Sequence, residues 1–152
     1  MNLFYAEYEK NLKEIHDEVR KVISGITPEA MNWKPGEDMN SIAVLVVHLV
    51  GAERYWLGDV VLRDPSGRDR EAEFAAQGLS EGELIKKLGE AEAYACKVLE
   101  SLSVEVLDAK RISPRSGKEV TVGWALCHAL KHTALHVGHI QITNQLLKQR
   151  SL

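Results

Sequence analysis

Apolar residues recur at steps of three and four along most of this chain. In the first stretch Tyr8, Leu12, Ile15, Val19, Val22, Ile23 and Ile26 line one helical face, and Glu9, Lys10, Lys13, Glu14, Asp17 and Glu18 fill the other. Gly25 and Pro28 mark the end of that helix. Thr27-Pro28-Glu29 sets a cap residue before a proline and predicts one short turn. Asn40-Ser41 caps a second helix to about Leu62, which Pro65 and Gly67 break. The charged stretch from Arg63 to Gly78 reads as a connection, with one helical turn around Glu71 to Ala76. Ser80-Glu81-Gly82-Glu83 is a capping-box pattern that opens a third helix to about Leu102, with Leu84, Leu88, Ala91, Ala95, Val98 and Leu102 on its face. Val104 to Val120 is a second long connection, in which Pro114 and Gly117 suggest a turn or small hairpin. Thr121 caps a last helix to about Lys148.

Four amphipathic helices predict an all-α fold, a four-helix bundle with long connections after the second and third helices. One crossover is expected, and residues 1–152 read as a single domain.

Composition adds exclusions. The chain is 45% hydrophobic and 27% charged, which is globular, and its net charge of −3 supplies no field for a phosphate backbone. No nucleic-acid partner is expected. No apolar stretch is long enough to span a bilayer, and the first residues show no secretory pattern. The expected location is cytoplasmic, with Cys96 and Cys127 as buried thiols rather than a disulfide.

The chemical signal is histidine. Of six, His128, His132, His136 and His139 form one stripe on the last helix, since positions four apart differ by about 40° around the axis. Two imidazoles one turn apart can address one ion. His48 stands alone in Ser41-Ile42-Ala43-Val44-Leu45-Val46-Val47-His48-Leu49-Val50, and a buried imidazole needs a partner. A metal shared with the last helix would satisfy it; hydrogen bonds within the core would also do so, and spacing leaves both readings open. Two known patterns fail. The zincin H-E-x-x-H is missing, because Thr133 follows His132 and Ala129 follows His128. The di-iron Glu-x-x-His pattern is missing too, because the last helix holds no acid after Thr121. Glu53, about 140° round the helix from His48, is a poor ligand candidate.

The block Gly25-Ile26-Thr27-Pro28-Glu29-Ala30-Met31-Asn32-Trp33-Lys34-Pro35, then Asn40-Ser41-Ile42 leading to His48-Leu49 and Glu53-Arg54-Tyr55-Trp56, resembles the first half of the DinB/YfiT-like superfamily. The run from Val120 through Gly123-Trp124 to His132-Thr133-Ala134-Leu135-His136-Val137-Gly138-His139-Ile140 resembles its C-terminal signature. The likeness covers most of the chain; the third helix and both long connections are generic. It implies a four-helix bundle holding a divalent metal, Zn or Ni, on three ligands that map to His48, His132 and His136. His128 maps to a position where His is common without binding the ion. His139 stands where the family usually has Gln, which opens a fourth ligand or an altered pocket. Gly138 fits the pattern and would admit a neighbouring backbone.

Relatives implied by the resemblance are transferases using a low-molecular-weight thiol such as bacillithiol or mycothiol, and a mycothiol-dependent isomerase. The expected function is therefore a metal-dependent thiol S-transferase, or a hydrolase activating water, acting on a small-molecule substrate. The alternative is a non-catalytic metal-binding stress or scaffold protein acting as a homodimer, with Leu3 and Phe4 supplying an apolar surface. Tyr55 and Arg54 are candidate pocket residues, against core packing for the first and a surface ion pair for the second. Trp33, Pro35 and Trp56 read as packing, and His16 as a solvated residue at the edge of the first helix's apolar face.

Overall fold

The computed structural model describes residues 2–150; Met1, Ser151 and Leu152 lie outside the described residues. Side-chain caps set where the helices begin. Asn2 Oδ1 accepts from the Phe4 backbone N–H at 2.9 Å and opens α1 (Leu3–Ile23). Thr27 caps the short α2 (Pro28–Met31), with proline at its first position. Ser41 Oγ accepts from Val44 N at 3.2 Å to open α3 (Ile42–Arg54). Asp69 caps α4 (Arg70–Phe74), a turn or so within the first long connection. Both bonds of the capping box between Ser80 and Glu83 form at the start of α5 (Glu81–Ser101). Thr121 Oγ1 accepts from Trp124 N at 3.1 Å at the start of α6 (Val122–Arg150).

The second helix is not regular to its end. After Arg54 the chain winds as a π-helix over Tyr55–Leu62 and stops at Arg63, which is left-handed with φ 60°. Eight residues of 3.6-like apolar spacing do not separate an α from a π turn. From the end of α3, Arg54 Nη1 reaches Asp59 Oδ1 in the π segment at 3.3 Å, and its guanidinium crosses Gly58, where any side chain would collide with it.

The second long connection also carries structure. A 3-10 turn, which periodicity did not predict, covers Val104–Asp108. The suggested hairpin is present: β1 (Lys110–Ile112) pairs antiparallel with β2 (Glu119–Thr121), Arg111 opposite Val120. Gly117, at φ 69°, closes its loop.

Each long helix packs on two others. α1 lies against α5 and α6, and α3 lies against the same two. Helices α1 and α3 are therefore diagonal, as are α5 and α6. Two connections, not one, cross the bundle, and α3 and α6 become neighbours.

The core has two apolar halves. Tyr5, Tyr8, Leu12, Leu57, Val98 and Leu126 belong to one; Val19, Ile23, Leu49, Leu88, Val137 and Ile140 belong to the other. Between them each long helix contributes one polar residue: His16, Glu53, Glu92 and Thr133. His16 Nε2 lies 2.8 Å from Glu53 Oε1 and its Nδ1 lies 3.0 Å from Glu92 Oε1. Thr133 Oγ1 donates to Glu53 Oε1 at 2.8 Å, and Arg20 Nη1 donates to Glu92 Oε1 at 2.7 Å.

Three expectations are corrected here. His16 is fully buried, not solvated: it occupies the apolar stripe between Leu12 and Val19, and its partners come from helices far away in sequence. Cys127 is exposed and Cys96 half-buried, so neither is a core thiol, although both are free as expected. Gly138 has open space where its side chain would be, so no backbone approaches it.

Candidate metal centre

The adjacency of α3 and α6 brings His48 to the histidine stripe. His48 is buried, and His132 and His136, one turn apart on α6, are half-buried. The His48 ring lies 5.1 Å from that of His132 and 4.8 Å from that of His136, centroid to centroid. One nitrogen from each of the three falls within 4.8 Å of the others, an arrangement that could hold a metal ion. His132 Nε2 and His136 Nε2 stand 3.2 Å apart. Two nitrogens bound to one tetrahedral ion at about 2.05 Å would stand roughly 3.3 Å apart, so the α6 pair already has ligand spacing. Burial, with repulsion from the neighbouring imidazoles, pulls His132 down to about 3 and His136 down to about 4. Both are neutral at pH 7, the form that donates a lone pair. The buried Nδ1 of His132 meets no hydrogen-bond partner among the described residues. The Nε2 spacing and the neutral rings fit an ion; the unpartnered Nδ1, the other nitrogen of the His132 ring, does not bear on it.

The far side of His48 is occupied. Its Nδ1 lies 3.0 Å from Glu73 Oε2, which leaves Nε2 as the nitrogen available toward α6. Glu73 is itself buried on α4 and takes two bonds from Arg68: Nε to Oε1 at 2.6 Å and Nη2 to Oε2 at 2.8 Å. Burial pushes the Glu73 carboxyl up, but Arg68 and His48 outweigh it and hold the group below the usual range. The carboxylate rests against Gly51, where any side chain would strike it.

A family model described as the DinB superfamily matches residues 11–140. This chain belongs to the DinB superfamily. Its fold is shared by solved structures of low identity. A conserved protein from Enterococcus faecalis is 15% identical with a TM-score of 0.82, over 98% of this chain and 99% of that one. YfiT from Bacillus subtilis, named a probable metal-dependent hydrolase with an unusual four-helix bundle topology, is 15% identical with a TM-score of 0.71, over 95% and 89%. A mutant mycothiol-dependent maleylpyruvate isomerase is 13% identical with a TM-score of 0.63, over 90% of this chain and 62% of that one. No curated protein matches the chain.

The other candidates of this DinB-superfamily chain lie outside the three-histidine cluster. His139 is exposed, with its Nδ1 3.3 Å from His136 Nδ1, on the side of that ring away from His132. It is not among the three that converge. His128 stacks on Trp124 at 4.7 Å and meets Trp56 at 4.6 Å, with its ring 6.1 Å from His132. Tyr55 is a core residue whose hydroxyl lies 2.7 Å from Ser113 Oγ and accepts from Arg115 N at 3.1 Å. Arg54 pairs with Asp59 and Asp64 and lies over the Tyr94 ring. It borders a cleft of about 440 Å³ between α3 and α5 that none of the three histidines lines. Sequence reasoning passed over Arg68, Glu73 and Gly51. The first two sit in a charged connection where nothing distinguishes a buried acid from a solvated one.

Proposed function

We propose that this protein is a metal-dependent enzyme that activates a small-molecule nucleophile, a low-molecular-weight thiol or water, on one divalent ion, zinc or nickel. His48, His132 and His136 would hold the ion. The convergence of one nitrogen from each of His48, His132 and His136 within 4.8 Å, with the two α6 nitrogens 3.2 Å apart, is the observation that carries this reading. When bound, the ion would lower the pKa of a thiol or water and supply a nucleophile at neutral pH. The three histidines provide neutral ligands and leave a coordination position open. No carboxylate base is among them, which suits activation by charge rather than by proton abstraction. The names of the structural neighbours, a hydrolase and a thiol-dependent isomerase, supply the two nucleophiles to compare. Thiol transfer to an electrophile, with bacillithiol or mycothiol as donor, is the favoured reaction. The free thiols Cys96 and Cys127 suit a reducing, cytoplasmic setting.

Untagged protein should conjugate a thiol to an activated aryl halide. Chelation or His132→Ala should abolish this at least a hundredfold, and divalent metal should restore the chelated parent. Equal turnover by His132→Ala and the parent would overturn the mechanism. The second reading, a non-catalytic metal-binding homodimer, draws on Leu3 and Phe4, which stay 74% and 42% exposed at the start of α1. It gains if the metal-loaded parent turns over neither nucleophile and Leu3→Glu with Phe4→Glu converts a dimer to a monomer by sedimentation.

A further inference from the structure

We infer that Glu73 is a positioning residue for the ion: clamped by Arg68 and seated in the space left by Gly51, it fixes His48 with the proton on Nδ1 and Nε2 turned to the ion. The inference rests on the metal-site reading above and adds to it a part of the chain outside the histidine helices. A carboxylate that accepts from the outer nitrogen of a liganding imidazole sets the ring's tautomer and orientation and makes the inner nitrogen a better donor. The parts are built for this. Glu73 is 7% exposed, so its charge has little water and depends on its partners. Arg68 takes both oxygens in a fork, and Oε2 also lies 3.0 Å from His48 Nδ1. Phe74, the next residue, packs its ring 4.8 Å from that of His48 and closes the same side. Glycine at 51 is required because the carboxylate occupies the place of its side chain. A salt bridge that only tied Arg68 to the start of α4 would need neither contact with His48 nor a carboxylate aimed at its ring.

The test is zinc affinity, read by competition with a chromogenic chelator, on the full chain. Glu73→Ala should weaken binding about 10- to 100-fold, and Gly51→Ala, which keeps Glu73 but displaces it, should do the same. Glu71→Ala, an exposed acid on the same turn, should leave affinity unchanged. The proton on His48 is a readout that needs no variant. Nitrogen-15 spectra of the zinc-loaded parent should show Nδ1 protonated and Nε2 on the metal. Parent affinity in both Glu73→Ala and Gly51→Ala, or zinc bound through His48 Nδ1, would overturn the inference and leave the three-histidine site standing. A parent that binds no zinc, nickel or other divalent ion would overturn both.

Discussion

His16 keeps its charge in the middle of the bundle because two carboxylates meet it there. Burial alone would strip its proton, but hydrogen bonds and charge from Glu53 and Glu92 outweigh burial and raise it from 6.5 to about 9. Burial likewise pushes Glu92 up, but His16 and Arg20 bring it from 4.5 down to about 2. The groups facing His16 are Glu53 from α3, Glu92 from α5, Thr133 from α6 through Glu53, and Asp17 and Arg20 beside it on α1. The signs then follow. A base raised on folding contributes stability that is complete below 6.5 and is lost as pH rises through about 9. An acid lowered on folding contributes stability present above 4.5 and lost as pH falls through about 2. The thermal midpoint of the parent should therefore fall between pH 7 and pH 9.5. His16→Gln should lose most of that slope and be less stable at pH 7 by about 3–5 kcal/mol, the cost of stranding a buried charge. A parent whose midpoint stays flat across that range would contradict this account of the layer.

At the scale of elements, two glycines separate what helices tolerate from what they do not. Gly58 in the π segment lies under the Arg54 guanidinium, and a side chain there would also come within 2.7 Å of the Tyr94 hydroxyl. Gly58→Ala should cost about 1–3 kcal/mol in denaturant unfolding. Gly89, inside α5, has nothing within 4 Å of the added atom, so Gly89→Ala should stabilise by about 0.5–1 kcal/mol. Equal effects of the two would contradict the assigned packing. The elements were readable where the signal is local. The Ser41 and Thr121 caps, the Ser80–Glu83 box and the turn at Gly117 each act within a few residues, and all form. The π segment was not readable, because its distinction from an α-helix lies in backbone pairing and not in apolar spacing. Nor was Glu73: Arg68 lies five residues before it, but His48 and Gly51, against which it is buried, meet it only once α4 folds onto α3.

At the scale of the whole molecule, topology decides the site. Because two connections cross the bundle, α3 and α6 lie side by side, and histidines 84 and 88 positions apart in sequence become neighbours. The residues alone marked a stripe of four histidines on the last helix and an apolar-flanked His48; the choice of His132 and His136 from that stripe came from the resemblance to the DinB/YfiT-like superfamily, since His128 and His139 share the same face. The diagonal order of helices was not readable, since nothing in the periodicity says which amphipathic face meets which. The polar layer also bears on the site. Thr133, the neighbour of His132, bonds to Glu53, five residues beyond His48, and so ties the axial register of α6 to that of α3. The central claim is that side chains from these two helices share one ion. Its direct measurement is the metal content and zinc affinity of untagged protein with each histidine replaced in turn by alanine. The parent should carry one divalent ion per chain. His48→Ala, His132→Ala and His136→Ala should each bind at least a hundredfold more weakly, while His128→Ala and His139→Ala stay within about tenfold of the parent. A parent without a divalent ion, or a His48→Ala variant that binds zinc as tightly as the parent, would contradict the account.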